Sequence, residues 1–188
     1  MNVGFALCGS FCTFAQAFDA MQTVASIHTV IPIFSQNASS IDTRFGTAKE
    51  HLARAAEICG RPPILTIDQA EPIGPKGLLD ALVIAPCTGN TLAKLANGIT
   101  DTTVTMAAKS HLRNGRPVLI AVSTNDALSG SAENIGKLMT RRNIYFVPYR
   151  QDAPQQKPTS MVADFARILP ALEAALNSHQ VQPLILES

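Results

Sequence analysis

The chain has 188 residues, of which 46% are hydrophobic and 15% are charged. This length suits one sizeable core and is short for two, so we expect a single domain spanning residues 1–188. Fifteen Lys and Arg residues nearly balance fourteen Asp and Glu residues, and the formal net charge is +1. Without a run of like charges the chain lacks the electrostatic footprint of a nucleic-acid or anionic-membrane binder, and neither is an expected partner.

The four cysteines, at positions 8, 12, 59 and 87, form no CxxC pair and have no histidine at zinc-finger spacing. We therefore expect reduced thiols, no disulfide framework and no metal site. The first residues, MNVGFALCGSFC, lack a basic segment and indicate a strand that enters the core rather than a signal peptide. No apolar stretch approaches the roughly 20 residues that a membrane span needs, so we expect a cytoplasmic protein.

Apolar runs alternate with helical patterns along the whole chain, which is typical of βα units. This alternation predicts an α/β fold with a Rossmann-like, doubly wound parallel sheet of about six strands and helices on both faces. Residues 61–77 and 149–159 are rich in Pro, Gly or polar residues, and we expect mobile or ligand-dependent loops there. The predicted strands are 3–8, 29–34, 64–67, 82–85, 118–122 and 144–147, and the predicted helices are 13–26, 47–59, 91–97, 102–113, 132–141 and 161–178.

Small hydrogen-bonding residues follow four of the predicted strands. A parallel sheet brings its strand ends to one edge, where open α/β sheets bind ligands. The segment GSFCTF could bind a phosphate at a helix N-terminus, although it lacks the full GxGxxG spacing and is also a common turn. Together these loops predict a mononucleotide-sized site. The residues concerned are Gly9 and Ser10, then Ser35, then Pro86, Thr88, Gly89, Asn90 and Thr91, and finally Ser123, Thr124 and Asn125.

No hydrolytic constellation is present in the sequence. Ser10 and Ser123 have no GxSxG frame, and no His–Asp pair is placed by its spacing to activate them. Asp68, Asp80, Asp101 and Asp126 occur singly, which is more typical of caps or solvated turn residues than of paired catalytic carboxylates. We therefore assign no catalytic residue.

The segment after the fourth predicted strand, PCTGNTLAKLANGITD, resembles the P-x-x-x-N-T motif of the flavoprotein family of homo-oligomeric, flavin-containing cysteine decarboxylases. The resemblance covers roughly residues 2–176 and implies a Rossmann-like fold, bound FMN and assembly into trimers or multiples of trimers. It implies that Thr88, Gly89, Asn90 and Thr91 surround the flavin or its ribityl chain. Gly9, Ser10 and Ser35 would lie near the phosphate.

Two departures from the decarboxylase pattern change the expected activity. No histidine lies between Arg61 and Pro86, and the P-x-M-N-x-x-M segment is reduced to Asn125. With the IGPKG and YFVPYRQDAPQQKPTSMVADF segments, the resemblance implies a subunit that supports dehydrogenation of a small dicarboxylate, with NAD or NADP bound by a partner polypeptide. Lys76, Arg150 and Lys157 are candidate ligands for the substrate carboxylates. A stand-alone FMN-dependent decarboxylase or prenyl transferase, and a non-catalytic accessory subunit, remain alternatives.

Overall fold

Four parallel strands of almost entirely apolar residues form the centre of the structure, a computed structural model that describes residues 1–187. Because helices cover both faces of this sheet, its strands are continuous apolar runs rather than alternating ones. Their order across the sheet is β2-β1-β3-β4. The strands are β1 (Asn2–Leu7), β2 (Thr29–Phe34), β3 (Ala81–Cys87) and β4 (Val118–Thr124).

Three short strands extend the sheet beyond β4. The strand β5 (Ile144–Phe146) runs parallel to the first half of β4. The end of β4 pairs instead with β7 (Met161–Ala163), which is antiparallel both to β4 and to β6 (Tyr149–Gln151). The predicted α/β class with a doubly wound sheet is confirmed, with seven strands and antiparallel pairing confined to β7 and its two neighbours.

Eight α-helices flank the sheet in the described part of the chain. The first, third and eighth pack together on one face, and the fourth to seventh form a second group on the other. None of the helices within residues 1–187 is both long enough and apolar enough to cross a membrane. The helices are α1 (Phe14–Ala25), α2 (Gln36–Ser40), α3 (Ala48–Cys59), α4 (Ile67–Ala70), α5 (Gly89–Asn97), α6 (Thr103–Leu112), α7 (Ala132–Met139) and α8 (Ile168–Leu176).

The predicted strand 64–67 is wrong. Only Ile64 pairs with the sheet, in a single bridge to Ile33 of β2, and Ile67 already begins α4. The preceding Pro62 and Pro63 have no N–H to donate to a ladder, and the backbone N–H of Leu65 donates to the side chain of Gln69 instead of to a strand. The pairing therefore stops after one residue.

The predicted helix 161–178 is partly wrong as well, because it starts with β7. Met161 and Val162 pair with the ends of β6 and β4, and Asp164 then caps a short 3-10 turn through the N–H of Ala166. Regular α-helix begins only at Ile168. The loop predicted at 149–159 likewise begins as β6, so β6 and β7 form a hairpin beside the end of β4.

Candidate functional site

A cavity of about 220 Å³ opens at the carboxyl edge of the sheet. Its walls come from the ends of β1, β3 and β4 and from the β6–β7 hairpin, which the parallel sheet brings together although they are distant in the sequence. Seven residues that were predicted from the sequence line it. They are Gly9, Ser10, Thr88, Ser123, Thr124, Asn125 and Lys157.

Two serine hydroxyls in the lining of this cavity contact each other. The Oγ atoms of Ser10, after β1, and Ser123, in β4, lie 2.8 Å apart, and Ser123 is only 5% exposed. Since β3 lies between β1 and β4, this contact spans the end of a whole strand. Each hydroxyl carries one proton, so one serine donates to the other and one proton remains for a ligand. The Sγ of Cys12 is 3.8 Å from Ser10.

Thr91 anchors the loop between β3 and α5 to the end of β1. The Ala85–Pro86 peptide bond is cis, and the Pro86 carbonyl accepts a hydrogen bond from the N–H of Cys8. The Thr91 hydroxyl lies 3.2 Å from that of Thr88 and donates to the Sγ of Cys8 at 3.3 Å. Burial raises the pKa of the Cys8 thiol to about 11, so it stays neutral. Thr91 is therefore an anchor of the loop, whereas Asn90 beside it is exposed.

Gly89, the first residue of α5, is covered by the loop that follows β4. A Cβ atom at Gly89 would lie 2.7 Å from the Ser131 Oγ, 2.8 Å from the Asp126 Oδ1 and 2.9 Å from the Thr124 Oγ1. The Thr124 hydroxyl also donates a hydrogen bond to the Asp126 carboxylate. Any side chain at position 89 would displace this loop. Gly89 was predicted at the site, whereas the sequence indicated only an isolated cap or turn residue at Asp126, and nothing in the local sequence singles out Ser131.

Ser35 lies beside the first loop, at the end of β2. Its Oγ accepts a hydrogen bond from the N–H of Ala38 and caps α2, and its own N–H donates to the Leu7 carbonyl at the end of β1. A Cβ atom at Gly9 would lie 3.6 Å from the Cβ of Asn37, an ordinary contact. The ends of β1 and β2 are thus adjacent, and a Cβ atom at Gly9 would fit between them without a clash.

The residues that connect β6 and β7, numbers 152–160 and called here the hairpin loop, close one side of the cavity. The Lys157 Nζ lies 3.2 Å from the Asp152 Oδ2. The Ser160 hydroxyl, only 2% exposed, donates to the Asp152 Oδ1. The loop is tied to the end of β4, because the Thr159 hydroxyl donates to the Asn125 carbonyl at 2.6 Å. Asp152 and Ser160 were missed by sequence analysis, since their meeting depends on the hairpin register.

The structure does not bring Arg150 or Lys76 into this cavity. Arg150 forms an ion pair with Asp164 at 3.0 Å and lines a separate cavity between α1 and β7. Lys76 precedes β3, and the carbonyl of its neighbour Gly77 accepts a hydrogen bond from Arg116, which precedes β4. Lys76 therefore lies at the amino edge of the sheet, opposite the site. Lys76 was predicted as a ligand because it lies in an irregular loop, but the sequence does not show at which edge of the sheet a loop lies.

Thiols and imidazoles contribute little to the site. Cys87 is fully buried, and burial raises its pKa well above the usual range, whereas Cys12 is exposed at the cavity wall. None of the four histidines lines the cavity. No group of three His, Cys, Asp or Glu side chains within residues 1–187 is arranged to hold a metal ion.

Comparison with known proteins places this geometry in a family. The flavoprotein family model matches residues 2–168. The chain is 42% identical to the B subunit of dipicolinate synthase from Bacillus subtilis (strain 168), over its whole length and 94% of that protein. It superposes on the crystal structure of the B subunit of dipicolinate synthase from Bacillus halodurans C with a TM-score of 0.91 at 42% identity, covering 100% of this chain and 96% of that one.

More distant structures share the fold. The FMN-dependent cysteine decarboxylase SpaF superposes with a TM-score of 0.68 at 19% identity, over 95% of this chain and 96% of that one. At this identity the likeness extends to the fold alone. The family model itself matches most of the chain, residues 2–168. The chain therefore belongs to the flavoprotein family.

Proposed function

We propose that this chain is the B subunit of a dipicolinate synthase and supports the oxidation of dihydrodipicolinate to dipicolinate (pyridine-2,6-dicarboxylate) during sporulation, in the cytoplasm of the mother cell. The observation that carries the proposal is the 42% identity to the B subunit of dipicolinate synthase over the whole chain. The residues that line the cavity agree with the proposal. They include hydroxyls and one lysine but no histidine, and the missing histidine is one of the departures from the decarboxylase pattern.

We propose FMN as the cofactor. The donor set fits a phosphate and a ribityl chain, because Ser10 precedes a 3-10 turn whose own hydrogen bonds begin only at the N–H of Thr13, so the N–H groups of Phe11 and Cys12 have no carbonyl partner within the turn. When bound, FMN would supply a hydride acceptor. The residues proposed to hold it are Gly9, Ser10, Ser35, Pro86, Thr88, Gly89, Asn90, Thr91, Ser123, Thr124 and Asn125.

The cavity residues would bind and orient the substrate. Loss of a hydride and a proton from a dihydropyridine gives an aromatic ring, so the step needs alignment more than a strong nucleophile. A dicarboxylate needs cations and N–H or O–H donors. Lys157 supplies the cation within the cavity lining. No side chain of this chain is assigned as acid or base.

We propose that the complete enzyme contains a second polypeptide, the A subunit of dipicolinate synthase, that binds NAD or NADP. The relatives are named as a B subunit, which supports a partner polypeptide. A cavity of 220 Å³ is below the range of about 300–1,000 Å³ typical of sites for drug-sized ligands, so other surfaces must complete the site if it holds both flavin and substrate. Further copies of this chain, as a trimer or a multiple of trimers, and the partner polypeptide are the proposed sources.

The decisive experiment is reconstitution. The chain and the partner polypeptide are purified separately and together, and dipicolinate formation is measured with each polypeptide and each cofactor omitted in turn. Activity that requires both polypeptides supports the proposal, and a yellow preparation with flavin absorbance supports FMN. Full activity with the partner polypeptide alone would instead indicate an accessory role, and decarboxylation of a cysteine-containing substrate by this chain alone would favour the stand-alone enzyme.

A further inference from the structure

The hydroxyl of Ser160 faces three hydrogen-bond acceptors. These are the Asp152 carboxylate, the Asn125 Oδ1 at 3.3 Å and the Thr124 carbonyl at 3.4 Å. A serine hydroxyl has one proton, and Asp152, the nearest and the only charged acceptor, receives it. A buried donor thus points at a carboxylate within the cavity wall.

Asp152 makes the contacts that a bound carboxylate would make. One of its oxygens accepts the Ser160 hydroxyl and the other lies 3.2 Å from the Lys157 ammonium. Among the residues that line the cavity, Lys157 is the only cation and Asp152 the only carboxylate. Their charges cancel, so an anionic ligand meets no net positive charge while this pair is intact.

We propose that Ser160 and Lys157 form a carboxylate subsite that Asp152 fills in the ligand-free chain and leaves when a dicarboxylate binds. The inference rests on the proposed function and specifies how that same site recognises its substrate class. Binding exchanges one carboxylate for another: the Ser160 hydroxyl and the Lys157 ammonium are transferred to the ligand, and Asp152 turns toward solvent.

Asp152 can leave without unfolding the hairpin loop. Its side chain is 34% exposed, and it is the first residue after β6. Ser160 is held independently, because its N–H donates to the Lys157 carbonyl at 3.1 Å. The Leu128 N–H donates to the Thr159 carbonyl at 2.9 Å, which ties the loop to the segment after β4. The donors of the subsite therefore keep their place when Asp152 moves.

Substitution of the competing carboxylate, Asp152, and of the two donors, Ser160 and Lys157, tests this inference. Dipicolinate is titrated calorimetrically into the full chain, with FMN and with the partner polypeptide present. Because Asp152→Asn keeps the shape but removes the competing charge, we expect it to bind dipicolinate about threefold to tenfold more tightly. Ser160→Ala and Lys157→Ala should bind about tenfold more weakly. The matched control is Asp19→Asn, which removes a carboxylate that is ion-paired with Arg54 outside the cavity.

The outcomes separate this inference from the proposed function. Tighter binding by Asp152→Asn, with unchanged Asp19→Asn, supports the subsite. If the unsubstituted chain binds dipicolinate but Asp152→Asn binds equally or more weakly, the subsite is rejected and the proposed function stands. If neither protein binds dipicolinate, both fail. Pyridine-2-carboxylate, with a single carboxylate, should show a similar gain from Asp152→Asn, because that carboxylate can take the place of Asp152 at Ser160 and Lys157; no gain with this ligand would reject the subsite.

Discussion

The Ser10 and Ser123 hydroxyls lie 2.8 Å apart across the end of β3, although 113 positions separate them in the chain. This contact links the loop after β1, proposed for the phosphate of FMN, with the end of β4, which also pairs with the hairpin. It therefore couples the two halves of the proposed cofactor site.

Coupling between these serines can be measured with a double-mutant cycle. Ser10→Ala and Ser123→Ala should each weaken FMN binding about threefold to tenfold, since each removes a hydroxyl from a part-buried pair. The double variant should lose less than the product of the single losses, with a coupling energy of about 0.5 kcal/mol or more. Flavin fluorescence titration gives the four affinities. Strictly multiplicative losses would show that the two hydroxyls act independently.

Gly9 tests the position of the phosphate. A methyl group at Gly9 finds only ordinary contacts at 3.6 Å, so Gly9→Ala should be mild, whereas the branches of Gly9→Val would fill the space beside Asn37 and the first turn. We expect Gly9→Val to weaken FMN binding more than riboflavin binding, because only FMN carries the phosphate. Both ligands are titrated against each variant. Equal losses for the two would place the phosphate elsewhere.

Asn90 tests the role of the loop between β3 and α5. Its side chain is exposed at the start of α5, so Asn90→Leu should leave the fold intact. If the amide bonds to the flavin, its loss costs about 1–3 kcal/mol, or roughly 5-fold to 150-fold in FMN affinity. Flavin titration is combined with circular dichroism as the folding control. Unchanged affinity in a folded Asn90→Leu protein would remove Asn90 from the site.

Gly89 and Gly136 form a matched pair for stability. Gly89→Ala puts a Cβ within 3 Å of three side chains, those of Thr124 at the end of β4 and of Asp126 and Ser131 after it, and we expect it to lower the free energy of unfolding by about 1–3 kcal/mol. A Cβ at Gly136, inside α7, meets no atom within 4 Å, so Gly136→Ala should raise that free energy by about 0.5–1 kcal/mol. Urea unfolding measures both. Equal effects of the same sign would contradict the packing at Gly89.

His111 makes stability depend on pH. The side chain is fully buried, its Nε2 lies 3.0 Å from the Pro117 carbonyl, and burial lowers its pKa to about 4. An unfolded histidine has a pKa of about 6.5, so below that pH the unfolded state takes up a proton that the folded state refuses. The contribution of neutral His111 to the free energy of unfolding is therefore present in full above pH 6.5 and is lost as the pH falls toward 4.

This dependence can be isolated by comparing the unsubstituted protein with His111→Gln, whose amide can still donate to the Pro117 carbonyl. Between pH 7 and pH 5 the unsubstituted protein should lose about 2 kcal/mol more of its free energy of unfolding than the variant. Urea unfolding at the two pH values gives the difference. Parallel losses in the two proteins would mean that His111 is protonated in the folded state.

Local patterns were sufficient for most of the fold. Uninterrupted apolar runs predicted the four central strands, because a strand buried on both faces must be apolar throughout. The segment from 161 onward shows the limit, since Met161–Ala163 suits a helix by composition and becomes β7 only because the ends of β4 and β6 offer unpaired backbone groups. Propensity is a weak signal beside such partners.

For the site, the sequence by itself determined which strand ends carry hydroxyls, and a parallel sheet then required Ser10, Thr88 and Ser123 to share one edge. Only the tertiary structure decided which charges join them. Lys157 lies in the cavity and Lys76 at the opposite edge, although each is a lysine in a Pro-containing loop. A loop's composition does not encode the edge it occupies, and the contact between Asp152 and Ser160 exists only through the register of a hairpin whose strands have three residues each.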